Sequence, residues 1–310
     1  MKTGIVIDSA CDLPSSYIQT HALHILPISL HFGSETFVDT RDAEATLAFY
    51  DKYITEKNLD AETRPFSVEQ IRQLFLNQLV LKYDRVLALT IARTRSQIYE
   101  NANEAAFAIL NGYRERRQRA GLNGGFSLKV MDSQTLFTGQ AVLTWEVVRL
   151  LRDNPDLPFS QLRAQVDALS QQVYAYLVPR DLFYLRNRAS KRGDKSVGGL
   201  TYHLGTWLDI KPILQAHRGE TGPIAKERGF GRALQHLFGR ARSAIIAGLR
   251  TPVVAASYAG RLEELEAEPE FADFRCFAER HGVEVLLSIM STTAGINVGP
   301  GAVALAYISR

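Results

Sequence analysis

The chain has 310 residues, of which 46% are hydrophobic and 22% charged, and its formal net charge is +3. This balance excludes a disordered chain, and so small a charge does not require nucleic acid as a partner. Two cysteines, Cys11 and Cys276, exclude a disulfide framework and a zinc site with four cysteine ligands.

The chain shows no targeting or membrane-spanning segment that we can recognise. The apolar run over residues 4–7 ends at Asp8, before the apolar core of a signal peptide could form. No run of 18 apolar residues occurs, which is the length that a membrane span requires. We therefore expect a cytoplasmic protein without integral membrane association.

The first half of the chain alternates short apolar strands with helices. Strands are predicted at residues 4–7, 25–32, 86–91 and 128–131. Helices are predicted near Pro14, over residues 44–53, from Ser67 onwards, over 95–119 and over 139–152. Ser67 and Gln70 have the spacing of a capping box, and Pro27 favours an edge position for the second strand. Alternation of this kind predicts a parallel sheet with helices on both faces.

The polar and proline-containing segment over residues 153–158 interrupts this alternation and predicts a domain boundary. A helix is predicted over residues 160–173, and strands at residues 208–214, 252–257, 283–290 and 302–308. We therefore predict a two-domain α/β protein, with a parallel-sheet domain over residues 1–155 and a second α/β domain over residues 156–310.

Small hydroxyl and acidic side chains follow the predicted parallel strands. Ligands of an open parallel sheet bind outside the carboxyl ends of its strands. Ser96 and Gln97 lie there, at the start of a predicted helix, where free N–H groups and the helix dipole favour an anion. The alternative is that Ser96 or Thr94 only caps the helix.

Four further polar positions are candidates for this site. Thr63 lies in a predicted turn before the Ser67 helix, where its hydroxyl can bind an anion or serve the turn alone. Asn297 precedes a Gly-Pro-Gly turn whose glycines permit close backbone approach, and its amide can point into a cleft. Asp8 and Asp132 are each followed by a serine, but no second ligand stands at metal-binding spacing, which favours structural turns.

The sequence signatures of common enzymes are absent. Gly193 to Ser196 lack the earlier glycine of a phosphate-binding loop, and Gly229-Phe230-Gly231 is an incomplete dinucleotide fingerprint. This favours a protein with no catalytic residues, no metal and no cofactor. An enzyme acting on a small anionic substrate at the same strand ends stays as the alternative.

Two basic stretches cover residues 186–192 and 226–232. The first contains Arg186, Arg188 and Arg192, which we interpret as a docking surface for an acidic partner. The alternatives are a solvated face and nucleic-acid binding, of which we rank the second last.

Several segments, met in order along nearly the whole chain, resemble the DegV family of bacterial fatty-acid-binding proteins. Residues 6–9 resemble the opening strand and Asp-Ser turn of that family, and residues 130–133 resemble its internal Asp-Ser segment. Residues 63–67 resemble the family segment Thr-Ser-Gln-Pro-Ser, and residues 93–102 resemble the family segment Ser-x-Leu-Ser-Gly-Thr-Tyr-x-x-Ala. In the second half, residues 208–214 resemble the family's Ile-Lys-Pro segment, and residues 298–302 resemble its Gly-Pro-Gly segment.

This resemblance implies a protein that encloses one long-chain fatty acid in an apolar tunnel, mainly within the first domain. The carboxylate is then expected at the domain cleft, held by the hydroxyls of Thr63 and Ser96, with Gln97 and Asn297 in the same site. Several family members present this carboxylate to a separate fatty-acid kinase, so a kinase is the expected partner.

The sequence also departs from the family pattern. The Ser-Gly-Thr triplet reads Ser96-Gln97-Ile98, which loses one hydroxyl. The histidine before Gly-Pro-Gly is Asn297, which donates hydrogen bonds but does not titrate. The Gly-Gly-Arg turn is not preserved over residues 186–199. Lipid binding tolerates these changes more easily than coupling to a kinase does.

Overall fold

A computed structural model of the protein describes residues 1–54, 61–192 and 209–310, without the side chains of residues 53, 54 and 188–192. Thirteen strands are described: β1 Thr3–Asp8, β2 His24–Leu26, β3 Ile28–Phe32, β4 Glu35–Asp39, β5 Ala61–Pro65, β6 Arg85–Thr90, β7 Ser127–Asp132, β8 Val173–Val178, β9 Ile210–His217, β10 Glu220–Arg228, β11 Leu249–Tyr258, β12 Glu284–Ile289 and β13 Val303–Ser309.

Twelve α-helices are described in the same ranges: α1 Ser15–Thr20, α2 Ala43–Phe49, α3 Val68–Leu74, α4 Ile98–Ala108, α5 Tyr113–Arg119, α6 Thr138–Asp153, α7 Phe159–Ser170, α8 Phe183–Arg192, α9 Phe230–Ala247, α10 Leu262–Glu266, α11 Pro269–Arg280 and α12 Thr292–Val298. Short π-helical segments, Tyr50–Ile54 and Phe75–Leu79, continue α2 and α3.

The described strands form three sheets. The first is parallel with the order β2-β1-β6-β7, the second is mixed with the order β10-β9-β8-β13-β11-β12, and the third is a small antiparallel sheet with the order β4-β3-β5. Helices cover the two larger sheets. The architecture confirms the predicted α/β fold, with a parallel sheet in the first half and a second α/β unit in the second.

The first sheet is covered on both faces. Every residue of β6 is buried. Alternate residues of β1 point to opposite sides, so that Ile5 and Ile7 pack in one apolar cluster and Val6 packs in another. A strand that is buried on both faces has a continuous apolar run in its sequence, and this is why the sequence predicts β1 and β6.

The predicted strand over residues 25–32 is divided at Pro27. Proline has no N–H for the ladder, and the chain crosses there from β2 of the parallel sheet to β3 of the small sheet. The small sheet was not predicted: β4 and β5 pair with either side of β3. The prediction that Thr63 lies in a turn is wrong, because Thr63 lies within β5 opposite Leu30.

Two predicted helices have different bounds in the structure. The helix predicted over residues 95–119 begins at Ile98 and is interrupted by a 3₁₀ turn before Gly112, where α5 begins anew. The helix predicted over residues 160–173 ends at Ser170, and the β-branched and aromatic run from Val173 forms β8 instead. The capping box of Ser67 and Gln70 is confirmed.

Helix α6 lies between the two larger sheets. Its Val142 shares one apolar cluster with Ile7 of β1 and Ala306 of β13, so the two halves of the chain have a common core. The predicted division into residues 1–155 and 156–310 falls just after this shared helix, and it stays a prediction.

Candidate functional site

The turn after β1 joins the first sheet to the loop after β6. Asp8 is fully buried, and its carboxylate accepts hydrogen bonds from the N–H groups of Ala10, at 2.9 Å, and Ile91, at 2.6 Å. Burial raises the pKa of Asp8 to about 7, although these bonds and a bond from Gln140 oppose the rise. Asp8 therefore fixes the backbone at Ile91, directly after β6, where the loop that contains Ser96 begins.

The neighbouring Ser9 fixes the crossing between the first sheet and the small sheet. Its hydroxyl donates to the carbonyl of Asp39 at 2.6 Å and accepts from the N–H of Ile28 at 3.0 Å. Together with the bonds of Asp8, this confirms that Asp8 and Ser9 form a structural turn.

The turn after β7 is built in the same way. The carboxylate of Asp132 accepts hydrogen bonds from the N–H groups of Gln134, at 2.8 Å, and Arg93, at 3.3 Å. Burial raises the pKa of Asp132 above its ordinary value. The Asp132-Ser133 pair is thus also a structural turn, as predicted.

Ser96 and Gln97 lie immediately before α4. Ser96 is half-buried, and its hydroxyl oxygen accepts from the N–H of Ile98 at 3.3 Å. Ser96 thus satisfies the first N–H of α4, as the capping alternative predicts, and its hydroxyl also carries a proton to donate. Gln97 is exposed, and within the described part of the chain its side chain forms no capping bond to α4.

Thr63 lies in the small sheet, opposite Leu30 of β3. It is half-buried in β5, two residues before Pro65. The next residue, Phe66, accepts a hydrogen bond through its carbonyl from the side-chain amide of Asn101 on α4, at 2.8 Å. This bond ties α4, which begins two residues after Ser96, to the segment that follows β5.

Asn297 lies in the last turn of α12. Its amide donates to the carbonyl of Thr293 in the same helix at 2.6 Å. Gly299 and Gly301 follow with φ of +88° and +70°, and a Cβ on Gly299 would lie 2.4 Å from the Tyr184 ring. The predicted close backbone approach at this turn is therefore confirmed.

The predicted docking residues belong to α8, which packs against α12. Arg186 is exposed. The side chains of Arg188 and Arg192, and the rest of the basic stretch over residues 193–199, lie outside the described residues.

A buried network that the sequence analysis missed joins the two halves of the chain. The carboxylate of Asp12 accepts from the hydroxyl of Ser257, at 2.6 Å, and from the N–H of Ser291, at 2.9 Å. The guanidinium of Arg41 lies 3.8 Å from Asp12 and donates to the carbonyl of Ile289 at 2.9 Å. Asp12 and Arg41 lie more than 240 residues from their partners in the second half of the chain, so no local pattern signals these bonds.

Asp39 and Tyr50 extend this network. The carboxylate of Asp39 accepts from both the N–H and the hydroxyl of Thr293, each at 2.9 Å. The hydroxyl of Tyr50 donates to the carbonyl of Met290 at 3.1 Å. These bonds seat α12 against the first half of the chain.

The hairpin between β9 and β10 reaches back to the Ser96 loop. The hydroxyl of Thr94 donates to the carbonyl of Gly219 at 2.9 Å, and the N–H of Gly219 donates to the carbonyl of Gln134 at 2.7 Å. The candidate site is therefore bordered by loops from both halves of the protein.

Metal ligands do not cluster in the described ranges. Among residues 1–54, 61–192 and 209–310, no three His, Cys, Asp or Glu side chains come together in a way that could hold a metal ion. In the same ranges, no helix combines the length and apolar character needed to cross a bilayer.

Comparisons with known proteins agree along the whole chain. The family model described as "Uncharacterised protein, DegV family" matches residues 2–310. A DegV domain-containing protein from Xanthomonas axonopodis pv. citri is 47% identical over 310 residues, which cover 100% of this chain and 98% of the relative.

More distant relatives carry names that mention a ligand. A protein from Thermotoga maritima named fatty acid-binding protein is 24% identical, and the match covers 98% of this chain and 96% of the relative. A solved structure described as a stearic acid-binding protein from Eubacterium ventriosum has the same fold, with a TM-score of 0.80, 22% identity, and coverage of 99% of this chain and 98% of that one. The chain belongs to the DegV family.

Proposed function

We propose that this protein binds one long-chain fatty acid, with the carboxylate beside Ser96 and Thr63 and the acyl chain in the apolar interior. The observation that carries the proposal is the match to the DegV family over residues 2–310, together with relatives that are named for fatty-acid binding. The remaining support comes from the chemistry of the site.

The carboxylate end needs hydrogen-bond donors, because a carboxylate removed from water is costly unless it is bonded. Ser96 lies at the N-terminal end of α4, where the helix dipole favours a negative charge. Its oxygen accepts from Ile98, which leaves its proton for the ligand. Thr63 supplies a second hydroxyl, and the bond between Asn101 and Phe66 keeps the two segments together.

Two amides complete the proposed polar site. Gln97 is exposed next to Ser96, and its side chain can donate to the same carboxylate. Asn297 uses one amide proton within α12, and we assign its second proton to the ligand.

The acyl chain requires an apolar path that leaves this polar end. Ile91 and Ile98, on either side of Ser96, belong to one apolar cluster with Phe66 and Phe137 at its margin. Burying about 14 methylenes at roughly 0.8 kcal/mol each gives a gross driving force of about 11 kcal/mol. Association and ordering costs reduce this value, but few polar contacts are then needed for tight binding.

We further propose that the carboxylate end is presented to a fatty-acid kinase through α8. Arg186 of α8 is exposed, and Arg188 and Arg192 follow on the same helix. Tyr184 of α8 lies against Gly299, two residues after Asn297, so the basic helix begins beside the proposed ligand site. A basic surface in this place suits a partner with an acidic face.

The alternative is an enzyme that acts on a small anion through Asp8, Asp132 and Asn297. Each of these groups is bonded to the backbone of its own or a neighbouring segment. A carboxylate that holds two backbone N–H groups is a structural group first, which favours a binding protein over an enzyme.

The site assignment is tested by the affinity for a fluorescent long-chain fatty acid. We expect Ser96→Ala and Thr63→Ala each to weaken binding by about 1 to 3 kcal/mol, because a buried anion loses a donor. Ser243→Ala and Thr36→Ala, which change exposed residues outside the site, serve as matched controls and should bind as the wild type does. Wild-type affinity in both site variants would contradict the assignment.

A further inference from the structure

The backbone at Phe137 is strained. Phe137 precedes α6 with φ of +48° and ψ of −108°, a conformation that residues with a side chain rarely adopt. Such strain persists only where the surroundings hold it, and it concentrates at functional positions. The strained backbone of Phe137 therefore raises the question of what holds it and what it serves.

The surroundings of Phe137 hold this conformation from two sides. Its carbonyl accepts from the N–H groups of Asp12, at 3.3 Å, and Ala141, at 3.1 Å. Two residues later, Gly139 is pressed against β8, because a Cβ there would lie 3.0 Å from that of Ala175. The segment cannot relax without moving either the buried turn of Asp12 or the start of α6.

The side chain that this strain positions lies between two apolar clusters. Phe137 is half-buried and packs against the cluster of the first sheet, which contains Ile91 and Ile98 beside Ser96. It also packs against the cluster that contains Leu30 and Phe49 between the small sheet and the second half of the chain. Phe137 therefore lies between these two apolar clusters.

Phe137 is one of the residues that line a small cavity. Its volume is about 30 Å³, and its walls are largely apolar, with Phe137, Leu177, Ala216 and Ala304 among the lining residues. A cavity of that size holds about one or two small groups. The space next to Phe137 is therefore apolar and has room for only one or two methylene-sized groups.

We propose that Phe137 is a specificity-determining residue that limits the length of the bound acyl chain. The proposal rests on the proposed function: an acyl chain that starts at Ser96 and follows the cluster of Ile91 and Ile98 meets the Phe137 ring. Removing the ring joins the cavity to the path and lets additional methylenes be buried. Each additional buried methylene is worth about fourfold in affinity.

The test compares the chain lengths bound by the wild type and by Phe137→Ala, Phe137→Leu and Phe137→Trp. Each protein is purified from one host, its fatty acids are extracted and identified, and saturated acids of increasing length are then titrated against it. Phe107→Ala is the matched control, because Phe107 is 63% exposed near the C-terminal end of α4.

We expect Phe137→Ala and Phe137→Leu to shift the preferred length upward, by about fourfold in relative affinity per methylene gained, and Phe137→Trp to shift it downward. Because three variants are used, the result does not depend on the folding of Phe137→Ala. Wild-type length preference in the folded variants, with fatty acid bound, would overturn the inference and leave the proposed function intact. A wild-type protein that binds no fatty acid would overturn both.

Discussion

Two polar regions border the two halves of this protein, and they differ in burial. Asp12, Asp39 and Arg41 are at most 5% exposed, and their bonds run to backbone and side chains of the second half. Ser96 and Thr63 are only half-buried. The charged groups of the interior therefore join the two halves, whereas the less buried hydroxyls are the groups that we propose for the ligand.

The largest expected effect concerns the buried side of this comparison. Arg41→Ala should lower the free energy of unfolding by about 3 to 5 kcal/mol at neutral pH, because it leaves the carboxylate of Asp12 buried and uncompensated. Urea denaturation monitored by circular dichroism measures this change.

The control for Arg41 is another ion pair between the two halves. Arg261 and Asp51 lie 2.8 Å apart, but both side chains are more than half exposed. Arg261→Ala should change the free energy of unfolding by less than about 1 kcal/mol. Equal effects of Arg261→Ala and Arg41→Ala would contradict a special role of the buried pair in joining the two halves.

The next effect is a pH dependence that belongs to Asp8. Its pKa is about 7 in the folded protein against 3.8 ordinarily, so the folded form holds a proton that the unfolded form loses. The stabilisation by this proton is complete below pH 3.8 and is lost as the pH rises through 7.

Asp8→Asn removes this titration. Between pH 5 and pH 7 we expect the wild type to lose about 2 to 3 kcal/mol of stability relative to Asp8→Asn, at about 1.4 kcal/mol per pH unit. Denaturation of both proteins at pH 5, 6, 7 and 8 gives the difference. Parallel stability curves would show that Asp8 does not titrate in this range.

The smallest expected effect tests the seating of α12 on the first half. A Cβ on Gly295 would lie 2.1 Å from the hydroxyl of Tyr50, so Gly295→Ala should cost about 1 to 3 kcal/mol of stability. In α9, Gly239 has nothing within 4 Å of such a Cβ, and Gly239→Ala should stabilise the protein by about 0.5 to 1 kcal/mol. Thermal unfolding distinguishes the two signs.

The elements that the sequence predicted are those with local signals. Strand β6 is a continuous apolar run, and Ser67 with Gln70 is a capping box. The small sheet escaped prediction because β4 is largely exposed and polar, and because its neighbour β3 also pairs with β5, which lies more than 20 residues further along the chain.

The candidate site shows the same limit. The positions of Ser96 and Gln97 followed from a strand and a helix that are adjacent in sequence. The network of Asp12, Arg41 and Ser291 did not, since its geometry depends on how two distant parts of the chain pack. Strain at Phe137 is likewise invisible in the sequence, because it arises from bonds to Asp12 and packing on β8.

The central claim is that the apolar interior holds one long-chain fatty acid, and native mass spectrometry of the purified 34.6 kDa chain tests it most directly. The account predicts a species heavier than the bare chain by one acyl chain, released on denaturation and identified as a long-chain fatty acid by solvent extraction. A bare chain that takes up no fatty acid from mixed solution, or a chain that carries a polar ligand instead, would contradict it.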